Sequence, residues 1–227
     1  MHFEQFIIPD SILETYSEII SPEVIHALTA VAPFNKDIKA VMESRLKRRF
    51  LRQQNKERIQ FLNEETAIPR TNIKVKDARA GNFEGAVIPH DLQRQWIQGT
   101  GPAAKPDAPI ESSIRNVAYA LLSGADGWMF DGEDALGQIN TMSLDNQRNL
   151  KLAISKDDLF MKVAQRVAGE MNKWSIGFLE KNIIDNWEEQ LNFTTKIFRA
   201  RGLHLDDRHI ADTNKKGFAA SLVDVTL

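Results

Sequence analysis

Three carboxylates, Asp131, Glu133 and Asp134, fall within four positions of the stretch GADGWMFDGEDALGQIN (124–140), directly after the apolar run Trp128-Met129-Phe130. Packing alone gives no reason to drive a buried strand into a cluster of acids. A strand whose C-terminal end opens on a reaction site does. Asp131 and Glu133 are two apart, and alternate side chains of an extended strand share a face. Arg199 and Arg201 have the same spacing within FTTKIFRARGLHL (193–205). Two carboxylates beside two guanidiniums suit an anionic substrate. The guanidinium binds a carboxylate or steadies a developing enolate oxygen, and the carboxylates orient it or polarise a water. The same residues could equally be ion pairs that tie two strands together, and spacing alone does not separate these readings.

Other chemistry is thinner. His204 and His209 flank Asp206, Asp207 and Arg208 in HLDDRH, a spacing that matches no established set of metal ligands. No GxxxxGK[ST] or GxGxxG phosphate-cradling signature is present. The absence of cysteine excludes a disulfide framework, a thiolate metal site and a cysteine nucleophile.

The elements that must position these groups are legible in the periodicity. Residues 10–62 look helical. Ser21-Pro22-Glu23 is a helix start, and Asn35 can cap a second helix with Ile38, Met42, Leu46 and Phe50 on one face. The other faces of that helix carry Arg45, Lys47, Arg48, Arg49, Arg52, Lys56 and Arg58, without the aromatic interleaving of a nucleic-acid surface, and read as a solvated face. NIKVKDA and FEGAVIP read as short strands or extended segments. RQWIQGTGPAAKPDAP reads as a short strand followed by a Gly/Pro-rich loop of the kind that holds a ligand. A helix then carries Ile110, Ile114, Val117 and Leu121 and ends on Gly124. After the strand GWMF, helices are expected at about Leu144–Ile154, opened by Ser143 or Asp145, and at about Asp157–Met171. FTTKIFRARGLHL (193–205) is expected to be the next strand, with Arg199 and Arg201 at its C-terminal end. This β/α alternation predicts a parallel sheet with functional groups at its strand ends.

With 42% hydrophobic residues, 26% charged residues and a formal net charge of −2, the 227-residue chain is ordinary for a globular protein. It gives no global attraction to nucleic acid or to a membrane surface. The N-terminus has no basic leader and no apolar run approaches a membrane span, so a cytoplasmic protein is expected.

Three blocks resemble malate synthases: GADGWMFDGEDALGQIN their D-F-E-D and G-Q-I-N segment, IFRARGLHLDDRHI their R-V-R-G-L-H-L motif, and AVIPHDLQRQWIQGTGP their I-P-x-D-L … I-T-G-P segment. They occur in the family's order. The resemblance implies an α/β protein, an N-terminal helical region (1–68) and a lead-in of short strands and loop (69–109). The first, incomplete part of a (β/α)8 TIM-type barrel (110–227) would follow. It implies condensation of acetyl-CoA with glyoxylate to malate and CoA, assisted by Mg²⁺. Arg199 would be the catalytic arginine, Asp131 and Glu133 the acidic pair, and Arg201 and Gly202 would bind substrate. A related CoA-thioester lyase of the citrate lyase β group, or a non-catalytic barrel remnant, is the alternative. RGLHL favours malate synthase over the lyase.

The sequence departs from the family in two ways. Gly132 stands where the family usually has phenylalanine, which would loosen the strand end. A barrel takes roughly 250 residues, and the 134 residues from Arg94 leave room for about four strands. The Mg²⁺ ligands and the general base would lie outside this chain. Uncovered strand edges then predict self-association or a complementing C-terminal portion.

Overall fold

The computed structural model describes residues 1–99, 109–133, 139–179, 184 and 186–227. The chain divides into two compact units, residues 1–42 with 95–227, and residues 43–94. The first 42 residues therefore belong with the sheet, where the sequence reading groups them with residues up to 68.

The larger unit is mixed α/β. Its central sheet has three parallel strands in the order β2 (Trp96–Gly99), β3 (Gly127–Asp131) and β4 (Thr195–Arg199). Between β2 and β3 runs α5 (Ile110–Leu121), and between β3 and β4 run α6 (Ile139–Ile154), α7 (Asp158–Leu179) and α8 (Trp187–Phe193). One core fills the space between these helices and the sheet. Ile114, Val117 and Leu121 of α5 meet Val163, Ala164 and Val167 of α7 over Trp128 and Phe130. The apolar spacing of α5 is the reason, since residues three and four apart stack on one helical face. Gly124, at φ 83°, then reverses the chain into β3 where a side chain would be strained. Buried Thr194 closes the bottom of the sheet, its hydroxyl 3.1 Å from the Leu121 carbonyl and 3.2 Å from that of Ala125.

A second, antiparallel sheet lies outside the β/α alternation. It is formed by β1 (Phe6–Ile7), β5 (Asp206–Asp212) and β6 (Gly217–Ala219). Helices α1 (Asp10–Thr15), α2 (Pro22–Val31) and α9 (Ala220–Asp224) accompany it. Phe6, Ile8, Leu28, Ile210, Phe218 and Val223 make its core, and Leu144 of α6 joins them.

Several boundaries differ from the sequence reading. Ser21 caps α2 as expected, accepting the Val24 N–H at 3.4 Å. Asn35 caps nothing, because a 3-10 turn (Ala32–Phe34) runs directly into α3 (Asn35–Gln54). Its buried carboxamide oxygen accepts the Ala219 N–H at 2.9 Å instead. Helix α3 stops at Gln54, short of residue 62, where Lys56 takes a left-handed φ of 54°. NIKVKDA is not a strand: Val75–Arg79 form helix α4, with Asp77 accepting the Lys74 N–H at 3.3 Å. Helix α6 begins before Ser143, and α7 continues to Leu179. Among the described residues no helix is long and apolar enough to cross a membrane.

Candidate functional site

The three parallel strands end side by side. In register, Gly99 lies beside Phe130, and Asp131 lies beside Arg199. Gln98, Met129 and Ile197 form a row across one face, and Asp131 and Arg199 follow two residues later on that same face. The sequence motif thus arrives at the C-terminal edge of a parallel sheet, where α/β proteins gather their reactive groups.

Arg199 bridges the acidic pair. Its Nη1 donates to Asp131 Oδ1 at 2.6 Å, and its Nη2 lies 3.0 Å from Glu133 Oε2. Asp131 Oδ2 accepts the Gln98 amide at 3.0 Å, and Glu133 Oε1 lies 3.1 Å from His204 Nε2. The hydrogen bond that Arg199 donates to Asp131, then the charge of Asp131, and then Glu133 raise the guanidinium's pKa above its ordinary value. The carboxylates are mostly covered, with 14% and 17% of their side chains exposed, while 48% of the Arg199 side chain is exposed. A guanidinium has five N–H donors. Two face the carboxylates, and the open half leaves donors for an anionic ligand.

Asp131 and Glu133 converge, though not by strand alternation. Residues 132 and 133 form a turn in which Asp131 Oδ1 accepts the Glu133 N–H at 2.9 Å, and this local bond swings the second acid back over Arg199. Gly132 makes the turn tight. Its N–H donates to the Arg199 carbonyl at 2.8 Å, and a Cβ there would sit 2.7 Å from that oxygen and 3.2 Å from the Arg201 nitrogen. The expectation that glycine loosens the strand end is therefore reversed: it lets the ends of β3 and β4 close on each other, and a phenylalanine has no room. Gly202 plays a similar part, since a Cβ on it would lie 3.0 Å from Glu133 Oε1 and 2.9 Å from His204 Nδ1.

Arg201 is the clearest correction. The sequence places it on the face of Arg199 as a substrate-binding group, but β4 ends at Arg199 and the chain turns inward. Asp224 accepts the Arg201 backbone N–H at 2.8 Å and its guanidinium Nη2 at 2.7 Å, and Asp207 takes Nη2 at 2.7 Å. The side chain is 1% exposed. Burial opposes its charge, and the two aspartates outweigh that and raise its pKa. Such a group anchors; it does not reach a substrate.

Asp134 and the Gly/Pro-rich loop at 100–108 lie outside the described residues. Sequence reasoning overlooked Gln98 and gave His204 no partner. The available signals were a polar residue ending an apolar strand and the proximity of His204 to RGL. Among the described residues no group of three or more His, Asp or Glu could hold a metal ion. Asp131 and Glu133 each commit an oxygen to Arg199, beside which a cation would be repelled. The Mg²⁺ implied by the resemblance has no donor set among the described residues.

No family model matches the chain. The chain is similar to a malate synthase of Myxococcus xanthus (strain DK1622), 28% identical over 219 residues that cover 93% of this chain and 32% of that protein. It spans about a third of the length of this curated relative. The similarity supports a distant relationship between the two proteins.

Proposed function

We propose that this chain carries the arginine and the acidic pair of a malate-synthase-type active site. In this reading β2, β3 and β4 are the first strands of a (β/α)8 barrel. The helices before residue 69 precede it, the segment up to β2 leads into it, and further strands pair along the edge that β4 leaves unpaired among the described residues. Those strands come from further sequence or from a complementing polypeptide. Without them the isolated chain is inactive and prone to self-associate through that edge, where Ile197 is exposed.

The observation that carries the proposal is Arg199, held by two carboxylates at the C-terminal edge of a parallel sheet and half open to solvent. The reaction is the condensation of acetyl-CoA with glyoxylate. A base removes a proton from the acetyl methyl group, and the enolate carbon bonds to the aldehyde carbon of glyoxylate. Water then cleaves the thioester to give malate and CoA. Arg199 stabilises the enolate oxygen through its free donors. Asp131 and Glu133 fix the guanidinium plane, and Gln98 and His204 fix the carboxylates. Arg201 contributes by anchoring the exit of β4, and Gly202 by leaving room for Glu133. The base and the donors for Mg²⁺ would come from outside the described residues, and the ion bound there would supply charge neutralisation.

The test is glyoxylate-dependent CoA release, with Mg²⁺, by the polypeptide that includes the remaining strands. Arg199→Lys removes the planar fork that spans both carboxylates. Its kcat should fall by on the order of 100-fold or more, with unchanged thermal unfolding. Near-normal turnover in that variant sinks the assignment.

A further inference from the structure

The smaller unit carries a surface that the catalytic reading does not use. Arg45, Arg48, Arg49 and Arg52 of α3 stand at positions i, i+3, i+4 and i+7, so they form one face about 10 Å long. All four are exposed. Together with Leu51, Asn55 and Glu57 they line a depression of about 570 Å³.

No ion pair joins any of the four to a carboxylate among the described residues. Other basic groups of the same unit are treated differently. Lys74 and Lys76 both reach Glu65, at 2.7 and 2.6 Å, and Arg79 reaches Glu64 at 3.6 Å. Glu57, the acid at the rim of the depression, accepts the Asn55 amide at 2.8 Å. Residues 43–94 hold twelve Lys and Arg against seven Asp and Glu, whereas the whole chain holds 29 against 31. Like charges one turn apart oppose a helix. The pull of the helix C-terminus on a cation reaches only the last turn, which holds Arg52 and not the other three. Side-chain pairing along the helix and the helix dipole therefore do not account for Arg45, Arg48 and Arg49.

The geometry points to a binding site for a small oligophosphate, a ligand with two or three linked phosphate groups. Arg45 with Arg49 and Arg48 with Arg52 make two adjacent rows along the helix, the members of each row one turn apart. Each row can fork onto a phosphate, which the planar guanidinium matches bidentately. The depression has the size of a small-molecule site. Its lining offers four guanidiniums, the Asn55 amide, the Glu57 carboxylate at the rim and one leucine but no aromatic platform, which favours a compact phosphate group over a nucleic-acid strand.

Isothermal titration of the intact chain with inorganic tripolyphosphate at about 0.1 M salt tests this. One site per chain is expected, with a sub-millimolar Kd. Orthophosphate should bind at least tenfold more weakly, and affinity should fall as salt rises. Arg48→Gln with Arg49→Gln should weaken tripolyphosphate at least tenfold with helix content by circular dichroism unchanged. Lys47→Gln, on the opposite side of α3, should leave it within twofold. Absence of tripolyphosphate binding, equal affinity in the double variant, or tighter binding of a single-stranded oligonucleotide per phosphate overturns the proposal.

Discussion

Replacing Gly132 by alanine tests whether the site is assembled by the close approach of two strand ends. The new Cβ would lie 2.7 Å from the Arg199 carbonyl oxygen and 3.2 Å from the Arg201 nitrogen, both backbone atoms that cannot rotate away. Relief requires the end of β4 to move, which strains the packing by about 1–3 kcal/mol. It also weakens the 2.8 Å bond from the Gly132 N–H to that carbonyl, worth roughly 1 kcal/mol. Set against a total stability of about 5–15 kcal/mol, this lowers the urea midpoint by on the order of 1 M. Gly169 is the control. It lies within helix α7, where an added methyl group would meet nothing within 4 Å, and alanine there should stabilise by about 0.5–1 kcal/mol. The two substitutions are chemically identical and should move the midpoint in opposite directions. On the proposed function, in a polypeptide that supplies the remaining strands, the shifted Arg199 should also lower turnover by about 100-fold, as a misplacement near 1 Å does. A Gly132→Ala chain within about 0.5 kcal/mol of the parent refutes the close-approach argument.

Buried and half-buried polar groups supply three more tests. Asp224→Ala removes one of the two aspartates that hold Arg201 among the described residues and should destabilise the chain by about 3–5 kcal/mol, the cost of breaking a buried charge pair; a loss below about 1 kcal/mol in urea unfolding contradicts the anchoring role. Thr194→Val removes a buried hydroxyl lying within hydrogen-bonding distance of three carbonyls and should cost about 1 kcal/mol, read by the same method. Burial, and then the charge of Asp145, push the Tyr16 phenol up to about 12 from 10.0. The folded state thus holds that proton more tightly than the unfolded chain, so the contribution is fully present below about pH 10 and is lost as pH rises through about 12. Tyr16→Phe should remove this part of the alkaline decline in melting temperature, and an unchanged difference between the two proteins from about pH 9 to about pH 12 contradicts it.

The legible parts of this protein are those governed by neighbours in the chain. The start of α2 follows from a hydroxyl cap and a proline at Ser21-Pro22, and the face of α5 follows from apolar residues three and four apart. The sheet strands WIQG and GWMF are short apolar runs between turn signals. The approach of Asp131, Glu133 and Arg199 was also foreshadowed by residue type and position at strand ends.

What remained hidden depends on partners far along the chain. Arg199 and Arg201 are the same residue type at strand spacing, yet one opens to solvent and the other is sealed in by Asp224, 23 residues later. Asn35 resembles a helix cap, but the donor that claims its oxygen is Ala219, 184 residues away. The antiparallel pairing of β1 with β5 joins the chain's first residues to its last strands, and no local period announces it. Periodicity and capping decide which residues form an element and which face is apolar. Which buried donor meets which acceptor is decided when the elements pack, because an unpaired polar group in the interior is costly and takes whatever partner the fold brings within reach.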